Sequence, residues 1–365
     1  MTVLIAAIAG RALAASARRA GVPVVVADFF GDLDTRALAR WLPLPGDLET
    51  GVDGERLRDM IEALGQPVEG IVYGAGFEAT PELLDELAGA APLVGNSPAV
   101  VRAVKDPFAF SRLLERLGVP CPRVSAQPLP GGEWLRKRRG GAGGAHVRPA
   151  PPPEPGCYYQ ERARGRPVSA LFSADGRHAR LLGVSEQWPS PTAAAPFRYG
   201  GCAGPAAIPA RLAAQLADVC DAVVAATGLV GLNSLDTLAE DAAFTVLEVN
   251  PRPGATLDVF DEGALWRAHL DGVAGRLSGP EWTAAIGSRA RAAAVVYAER
   301  AVRVGHDLPK LPRIADIPAP ESIIPAGAPV CTVLAKARHV EAARDLARRR
   351  SGGVQRSLAP AENAA

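Results

Sequence analysis

Apolar and polar positions alternate along this chain in ways that predict its elements. Residues 3–9 form an unbroken apolar run, as expected of a strand covered on both faces. Gly10 breaks the run, residues 11–20 have helical composition, and residues 22–27 are a second β-branched run ending at Asp28. Strand, glycine turn, helix and strand predict a βαβ unit on a parallel sheet. Residues 71–73 predict a later strand, followed by Gly74-Ala75-Gly76-Phe77-Glu78. Thr80-Pro81-Glu82 has the form of a helix start, with a capping Thr, Pro at the first helical position and acid in the first turn. Leu93-Val94-Gly95-Asn96 closes a first unit.

Residues 97–117 predict a helical stretch with Lys105 near its start, ended by Gly118-Val119-Pro120. Residues 134–148 carry Lys137 and a Gly-rich turn, and the Pro-rich residues 149–155 predict a linker or surface loop. Residues 157–172 are strand-like around Glu161, and residues 211–226 predict an amphipathic helix stopped at Gly228. Residues 232–249 read as a hairpin. A helical region after Asp271, an apolar run at 292–298 and a Pro-rich stretch at 308–329 follow. A strand at 330–335 and a helix at 337–350 come last, with a frayed end expected from Ser351.

At 365 residues the chain is too long for one compact core, so linked units are expected. Forty Lys and Arg against 39 Asp and Glu give a formal charge of +1, which predicts neither a nucleic-acid partner nor an anionic membrane surface. Any anion must be bound by local groups. Five Cys with no CxxC pair argue against a disulfide framework or a structural zinc and fit a reducing, cytoplasmic compartment. The first apolar run lacks a basic flank and ends in Gly10-Arg11, so it reads as a strand and not as a signal peptide. No stretch is long and apolar enough to span a membrane. The five His are scattered without ligand spacing, and Gly-x-Ser-x-Gly is absent.

The chemistry concentrates in Asp236, a short turn, and Glu248-Val249-Asn250-Pro251-Arg252. Glu248 and Asn250 are two apart on a strand and share a face. If the hairpin turns at 239–242, Asp236 stands across from Glu248, with Cβ atoms about 5 Å apart. Two carboxylates that close repel unless a cation joins them. Two carboxylates and an amide oxygen suit a hard ion that completes its shell with phosphate oxygens and water, Mg²⁺ rather than Ca²⁺. Arg252 can clamp a phosphoryl group or a substrate carboxylate. Without Asp236 in register, the same residues would make an ordinary solvated hairpin end.

Lys105 and Lys137 are candidate phosphate cations, the latter just before Gly140-Gly141-Ala142-Gly143-Gly144. Such a turn lets backbone N–H groups approach phosphate oxygens, although a Gly-rich run alone is as well a surface loop. It is neither a Walker A motif nor a dinucleotide fingerprint. Arg136, Arg138 and Arg139 read as a solvated charge run. In Tyr159-Gln160-Glu161-Arg162-Ala163, extended backbone can read an adenine edge, with Glu161 accepting from the exocyclic amine; an exposed strand end is the plain alternative.

In this order, Lys105, Lys137 with its Gly loop, Gln160-Glu161, and Asp236 with Glu248-Val249-Asn250-Pro251-Arg252 resemble the ATP-grasp superfamily over nearly the whole chain. Asp316-Ile317-Pro318 and Ala328-Pro329-Val330-Cys331-Thr332-Val333 resemble the small C-terminal domain of its biotin-carboxylase-like branch. The resemblance implies a mixed α/β and α+β architecture. Its parts are an N-terminal Rossmann-like domain over 1–96, an ATP-grasp domain over 97–280 and a small C-terminal α+β domain over 281–365. It implies that Lys105, Lys137, Gly143, Gly144, Glu161 and the backbone of Ala163 bind ATP, that Asp236, Glu248 and Asn250 hold one or two Mg²⁺, with Mn²⁺ able to substitute, and that Arg252 is catalytic. The family usually has Pro after its second Lys, where Arg138 stands here, and often a second acid beyond the hinge, which Gly165-Arg166-Pro167-Val168 lacks.

Arg11-Ala12-Leu13-Ala14, the stretch from Asp28 to Asp34, and Asn250-Pro251-Arg252-Pro253-Gly254-Ala255-Thr256 with Asp258 look like the tyramine–glutamate ligase branch. That branch joins glutamate to an amine for methanofuran-type one-carbon carriers. The resemblance implies small-molecule acid and amine substrates and a homodimer. Another ATP-grasp ligase or carboxylase of nucleotide or amino-acid metabolism, or a noncatalytic ATP sensor, would share most of these features. Gly74 to Glu78 and Tyr199-Gly200-Gly201-Cys202 are candidate substrate loops.

Overall fold

The N-terminal β-branched runs pair in parallel, as two-sided burial requires. The computed structural model describes residues 2–360 apart from 66, 150, 241–242, 261–262, 279–288 and 309–310. Its first unit contains β1 (Val3–Ala6), α1 (Arg11–Arg19), β2 (Val24–Asp28), α2 (Leu33–Leu38), β3 (Arg40–Pro43), a two-strand ribbon β4 (Gly46–Asp47) and β5 (Gly51–Val52), α3 (Gly54–Glu62), β6 (Gly70–Tyr73) and α4 (Glu82–Ala90). The sheet order is β3-β2-β1-β6, with β2 and β6 both parallel to β1. Chain order reverses between β1 and β6. Their carboxyl ends therefore open a crevice lined by residues 7–10 and 74–78, where ligands of such sheets bind. α4 starts one residue later than expected: Pro81 is its N-cap, with no side-chain cap bond.

α5 (Pro98–Lys105) and α6 (Pro107–Arg116) replace the single helical stretch expected at 97–117. Pro107 has no N–H to continue a helix. Asp106 ends α5 and caps α6, its carboxylate accepting from Ala109 N at 2.7 Å. Lys105 is thus the last residue of a helix and not near its start.

Two antiparallel sheets follow. One contains β7 (Val124–Ser125), β8 (Trp134–Arg138), β9 (Arg148–Pro149) and β10 (Cys157–Glu161), in the order β7-β10-β8-β9. The larger uses β11 (Arg166–Asp175), β12 (Ala179–Pro189) and β13 (Tyr199–Gly204). After α7 (Ala210–Thr227) it continues with β14 (Val230–Ala239) and β15 (Phe244–Asn250). Alternation along β11 sets its two faces. Val168, Ala170, Phe172 and Ala174 pack in one core with Phe110, Leu114, Leu216 and Val223 of α6 and α7. Leu171, on the opposite face, joins Trp266 and Ala268 and residues Ile5, Leu13 and Val72 of the first unit.

After α8 (Leu257–Phe260) and α9 (Leu265–Val273) come β16 (Ala290–Tyr297), β17 (Val302–Arg303), β18 (Ile314–Ala315), β19 (Ile323–Ile324), β20 (Pro329–Ala337), α10 (Val340–Ser357) and β21 (Ala359–Pro360). β17, β19 and β21 form a small sheet, while β16, β20 and β18 extend the large one to eight strands: β15-β14-β11-β12-β13-β16-β20-β18. The expected boundary at 280/281 lies outside the described residues, and hydrogen-bonded strands on either side of it share one sheet. The end expected to fray from Ser351 instead continues α10 to Ser357, because Val354 and Leu358 are buried in a C-terminal core. No described helix is long and apolar enough to cross a membrane.

Asn96 ties the first unit to the large sheet. Its Nδ2 donates to Asn233 Oδ1 at 2.8 Å and Pro251 O at 2.9 Å, and its Oδ1 accepts from Val230 N at 2.7 Å, all in a buried setting. His269 adds a second tie: its Nδ1 accepts from Leu232 N, so its Nε2–H faces Val94 O, and burial holds the ring neutral with a pKa near 4. Asn96→Ala leaves three buried polar groups without partners and should lower unfolding free energy by about 2–5 kcal/mol in chemical denaturation. A loss under about 0.5 kcal/mol would contradict this tie.

Candidate active site

β14 and β15 pair antiparallel with Asp236 directly across from Glu248 and Ser234 across from Asn250. Between the Asp236–Glu248 and Thr237–Val246 pairs, Leu247 is an extra residue in β15. The bulge turns Leu247 O toward Gln160, whose Nε2 donates to it at 3.4 Å. The neighbouring β11 places Ser169 opposite Asp236 on the other side, and Ser169 Oγ donates to Asp236 Oδ1 at 2.6 Å. Asn250 Nδ2 donates to Asp236 Oδ2 at 2.9 Å. Three predicted oxygen-bearing residues thus meet at one sheet edge.

The lysines converge on the same point. Lys105 Nζ, at the end of α5, is 3.2 Å from Glu248 Oε2 and 3.3 Å from Val249 O. Lys137 on β8 is buried and donates to Gln160 Oε1 at 3.2 Å. Burial acts most strongly on all three charges. For Glu248 it is outweighed by Lys105 and then Lys137, which hold the carboxyl well below the usual range. For Asp236, burial and then the Glu248 charge push the carboxyl up. For Lys137, Tyr158 and Glu248 overcome burial and push the ammonium up. The pair therefore carries a charged Glu248 beside an Asp236 that resists ionisation, the condition that a cation relieves. Two carboxylates with an amide and a hydroxyl nearby fit a hard ion that takes its remaining ligands from phosphate and water. Among the described residues no group of three or more His, Cys, Asp or Glu is gathered as a metal cage.

A cleft opens beside these groups. Val104, Phe110, Leu114 and Tyr158 give it apolar walls, and Lys105, Gln160, Glu248, Gly140 and Gly141 border it. Arg138, expected in a solvated run, also lines it. Glu161 does not. Successive side chains on β10 point to opposite faces, and Glu161 is engaged away from the cleft by Arg123, whose Nε and Nη2 donate at 2.8 and 2.9 Å. The expectation that its carboxylate accepts from adenine is therefore corrected. Gln160, one residue earlier, faces the site, and alternation from Tyr158 would have indicated it. Ala163 lies just past β10, half-buried.

The Gly-rich turn is held and not floppy. Gly140 has φ of 63°, and a Cβ there would come within 2.3 Å of Ala79 Cα; at Gly144, φ is 67° and a Cβ would meet Phe197 O at 2.1 Å. Only glycine fits both positions. Gly143 O accepts from Tyr199 N at 2.8 Å, and a Cβ on Gly143 would meet open space. Gly140 and Gly141, more than the predicted Gly143 and Gly144, border the cleft.

Arg252 is on the other side of Asn250. Its Nε donates to Glu78 Oε1 at 2.6 Å, and Glu78, 4% exposed, has its Oε2 fixed by Gly76 N at 2.8 Å and Phe77 N at 3.2 Å. Burial works against the Glu78 charge, but Arg252 and then Lys105 hold its carboxyl below the usual range. The loop after β6 thus serves as a socket for Arg252. Nothing in the sequence pattern pairs residues 174 apart. Tyr199 is half-buried and Cys202 buried, and burial pushes the Cys202 thiol up to about 12, away from the thiolate that a nucleophile needs.

Residues 104–256 match the ATP-grasp domain family. The biotin carboxylase domain of 2-oxoglutarate carboxylase from Hydrogenobacter thermophilus, solved as a dimer with MgADP, ADP and bicarbonate, is similar at TM-score 0.75 and 14% identity, over 98% of this chain and 90% of that one. N5-carboxyaminoimidazole ribonucleotide synthetase from Thermotoga maritima is similar at 0.66 and 15%, over 98% of each chain. Phosphoribosylamine–glycine ligase from the same organism is similar at 0.71 and 16%, over 98% of this chain and 97% of that one. No curated protein matches the sequence. Residues 104–256 are therefore an ATP-grasp domain, and the chain as a whole has the ATP-grasp fold.

Proposed function

We propose that the chain is an ATP-dependent ligase that activates a carboxylate as an acyl phosphate and joins it to an amine, releasing ADP and phosphate. The convergence of Asp236, Glu248 and Asn250 with Lys105 and Lys137 beside an apolar cleft carries this reading. Adenine lies between the apolar walls, read by the backbone near Ala163 and by Gln160. Asp236, Glu248 and Asn250 would hold one or two Mg²⁺, with Mn²⁺ able to substitute, and the ion supplies charge neutralisation for the transferring phosphoryl group. Lys105 now answers the Glu248 charge. It is placed to turn to phosphate oxygens once other positive charge reaches Glu248. Lys137 adds a second cation, and N–H groups of the 140–144 turn cover the phosphates.

Arg252 stabilises the carboxylate and the acyl-phosphate step. Glu78 takes its Nε, so the guanidinium is aimed before substrate arrives, and Nη2 has no acceptor among the described residues. Positioning and charge supply most of the catalysis in such transfers. The substrates we assign are glutamate and a tyramine-like amine, as in one-carbon cofactor biosynthesis, on the strength of the segments at 11–14, 28–34 and 250–258. The division at 96/97 and 280/281, a cytoplasmic location and a homodimer belong to the same proposal. A carboxylase using bicarbonate is a second reading, suggested by the fold likeness to a biotin carboxylase domain solved with MgADP and bicarbonate.

ADP release should require glutamate and tyramine together; release driven by bicarbonate alone would favour the second reading. Glu248→Gln should lower turnover at least about hundredfold, and unchanged turnover would remove the catalytic assignment. Asp236→Asn should weaken ATP binding in Mg²⁺ by calorimetry while leaving adenosine binding intact; equal losses would contradict a metal role. Arg252→Ala strands a buried carboxylate and should cost about 3–5 kcal/mol of stability as well as activity. Adding Glu78→Gln should restore stability but not turnover, and restored turnover would contradict the role of Arg252.

A further inference from the structure

The Gly-rich turn returns to its sheet through a histidine that none of the roles above uses. β8 and β9 pair Leu135 with Pro149 and Arg136 with Arg148, and the same register sets Arg138 across from His146. Here a side chain replaces the backbone partner: His146 Nδ1 accepts from Arg138 N at 3.1 Å. That bond fixes the tautomer, because a neutral imidazole whose Nδ1 accepts carries its hydrogen on Nε2.

The ring is half-buried and lies over Gly141, where an added Cβ would come within 2.5 Å of Nε2 and of Cδ2. Gly141 borders the cleft, and so does Arg138, which anchors the ring. Nε2 is therefore held at the cleft's edge, on the side covered by the Gly-rich turn. No described residue accepts from Nε2–H. Burial, then the Lys137 charge, lower the ring's pKa to about 4; Glu248 acts against them, and Lys105 and Arg138 act with them. The charges that reach the ring are thus those of the site itself. At neutral pH the ring offers one donor and no free acceptor, so it can bind an anion's oxygen but cannot serve as a general base.

We propose that His146 is a further nucleotide-binding residue, its Nε2–H donating to a phosphate oxygen of ATP where the 140–144 turn covers it. This role rests on the reading of the cleft as a nucleotide site and is independent of which acid and amine are joined. A neutral donor on a fixed ring adds direction to the phosphate contacts, where Lys105 and Lys137 add mainly charge.

Proton–nitrogen NMR of the imidazoles in the full chain tests it, with His146→Asn identifying the signal among five His. The free protein should show the Nε2–H tautomer at His146. Adenylyl imidodiphosphate with Mg²⁺ should shift that N–H downfield and slow its exchange, and adenosine should do neither. An Nδ1–H tautomer, a signal the triphosphate leaves unmoved, or an equal response to adenosine overturns the proposal. His146→Asn keeps an oxygen able to accept from Arg138 N but has no donor reaching as far as Nε2. By calorimetry it should bind the same triphosphate at least about tenfold more weakly than wild type, with adenosine affinity unchanged. Unchanged triphosphate affinity, or equal losses for both probes, overturns it as well; if this variant does not fold, the wild-type tautomer and its response to the triphosphate decide. A responding His146 in a chain that releases no ADP with any acid and amine leaves this role standing and sinks the ligase reading. Turnover with an unresponsive His146 does the reverse, and a chain that binds no triphosphate overturns both.

Discussion

Two acids set opposite each other on neighbouring strands impose the constraint around which this molecule is organised. At the roughly 5 Å spacing of opposed positions, their charges repel by about 3 kcal/mol at an effective dielectric of ~20. The structure answers with cations and donors from distant segments: Lys105 at a helix end, Lys137 from another sheet, Ser169 from the adjoining strand and Asn250 from the same strand. Each group is fixed by its own element, so the electrostatic problem and the fold share one solution.

The units are joined by polar contacts as well as by apolar packing. Asn96 and His269 pin β14 to the first unit, and Glu78 reaches from the β6 loop to Arg252. Gly140 packs against Ala79 of that loop, while Gly144 meets Phe197 just before β13 and Gly143 accepts from Tyr199 N at its start. The Gly-rich turn and Arg252 are thus both braced by the loop after β6.

Much of this was legible in the sequence where local physics decides. Period-two spacing sets Glu248 and Asn250 on one face, and Asp236 stands opposite Glu248 as expected, though by way of a bulge at Leu247 that symmetry about the turn does not supply. Gly228 stopped α7 where expected. What stayed hidden depended on contacts between distant segments. The Glu78–Arg252 pair and the Asn96 tie span separations no periodicity encodes. Glu161 carries the charge that suits an amine partner, but strand alternation turns its neighbour Gln160 to the cleft and leaves Glu161 with Arg123. Lys105 ends α5 and does not open a longer helix, because Pro107 cannot continue it and Asp106 caps the next one. The continuation of α10 turned on Val354 and Leu358 finding a core, which their spacing alone does not disclose.

Asp236, Glu248 and Asn250 are proposed to hold a nucleotide-bound magnesium. A crystal structure with Mg²⁺ and a nonhydrolysable ATP analogue tests it most directly. Side-chain oxygens of these residues should lie about 2.0–2.1 Å from the ion, with Lys105 turned from Glu248 toward phosphate. Phosphates bound elsewhere, or an ion that ignores the acid pair while Lys105 keeps Glu248, would contradict it.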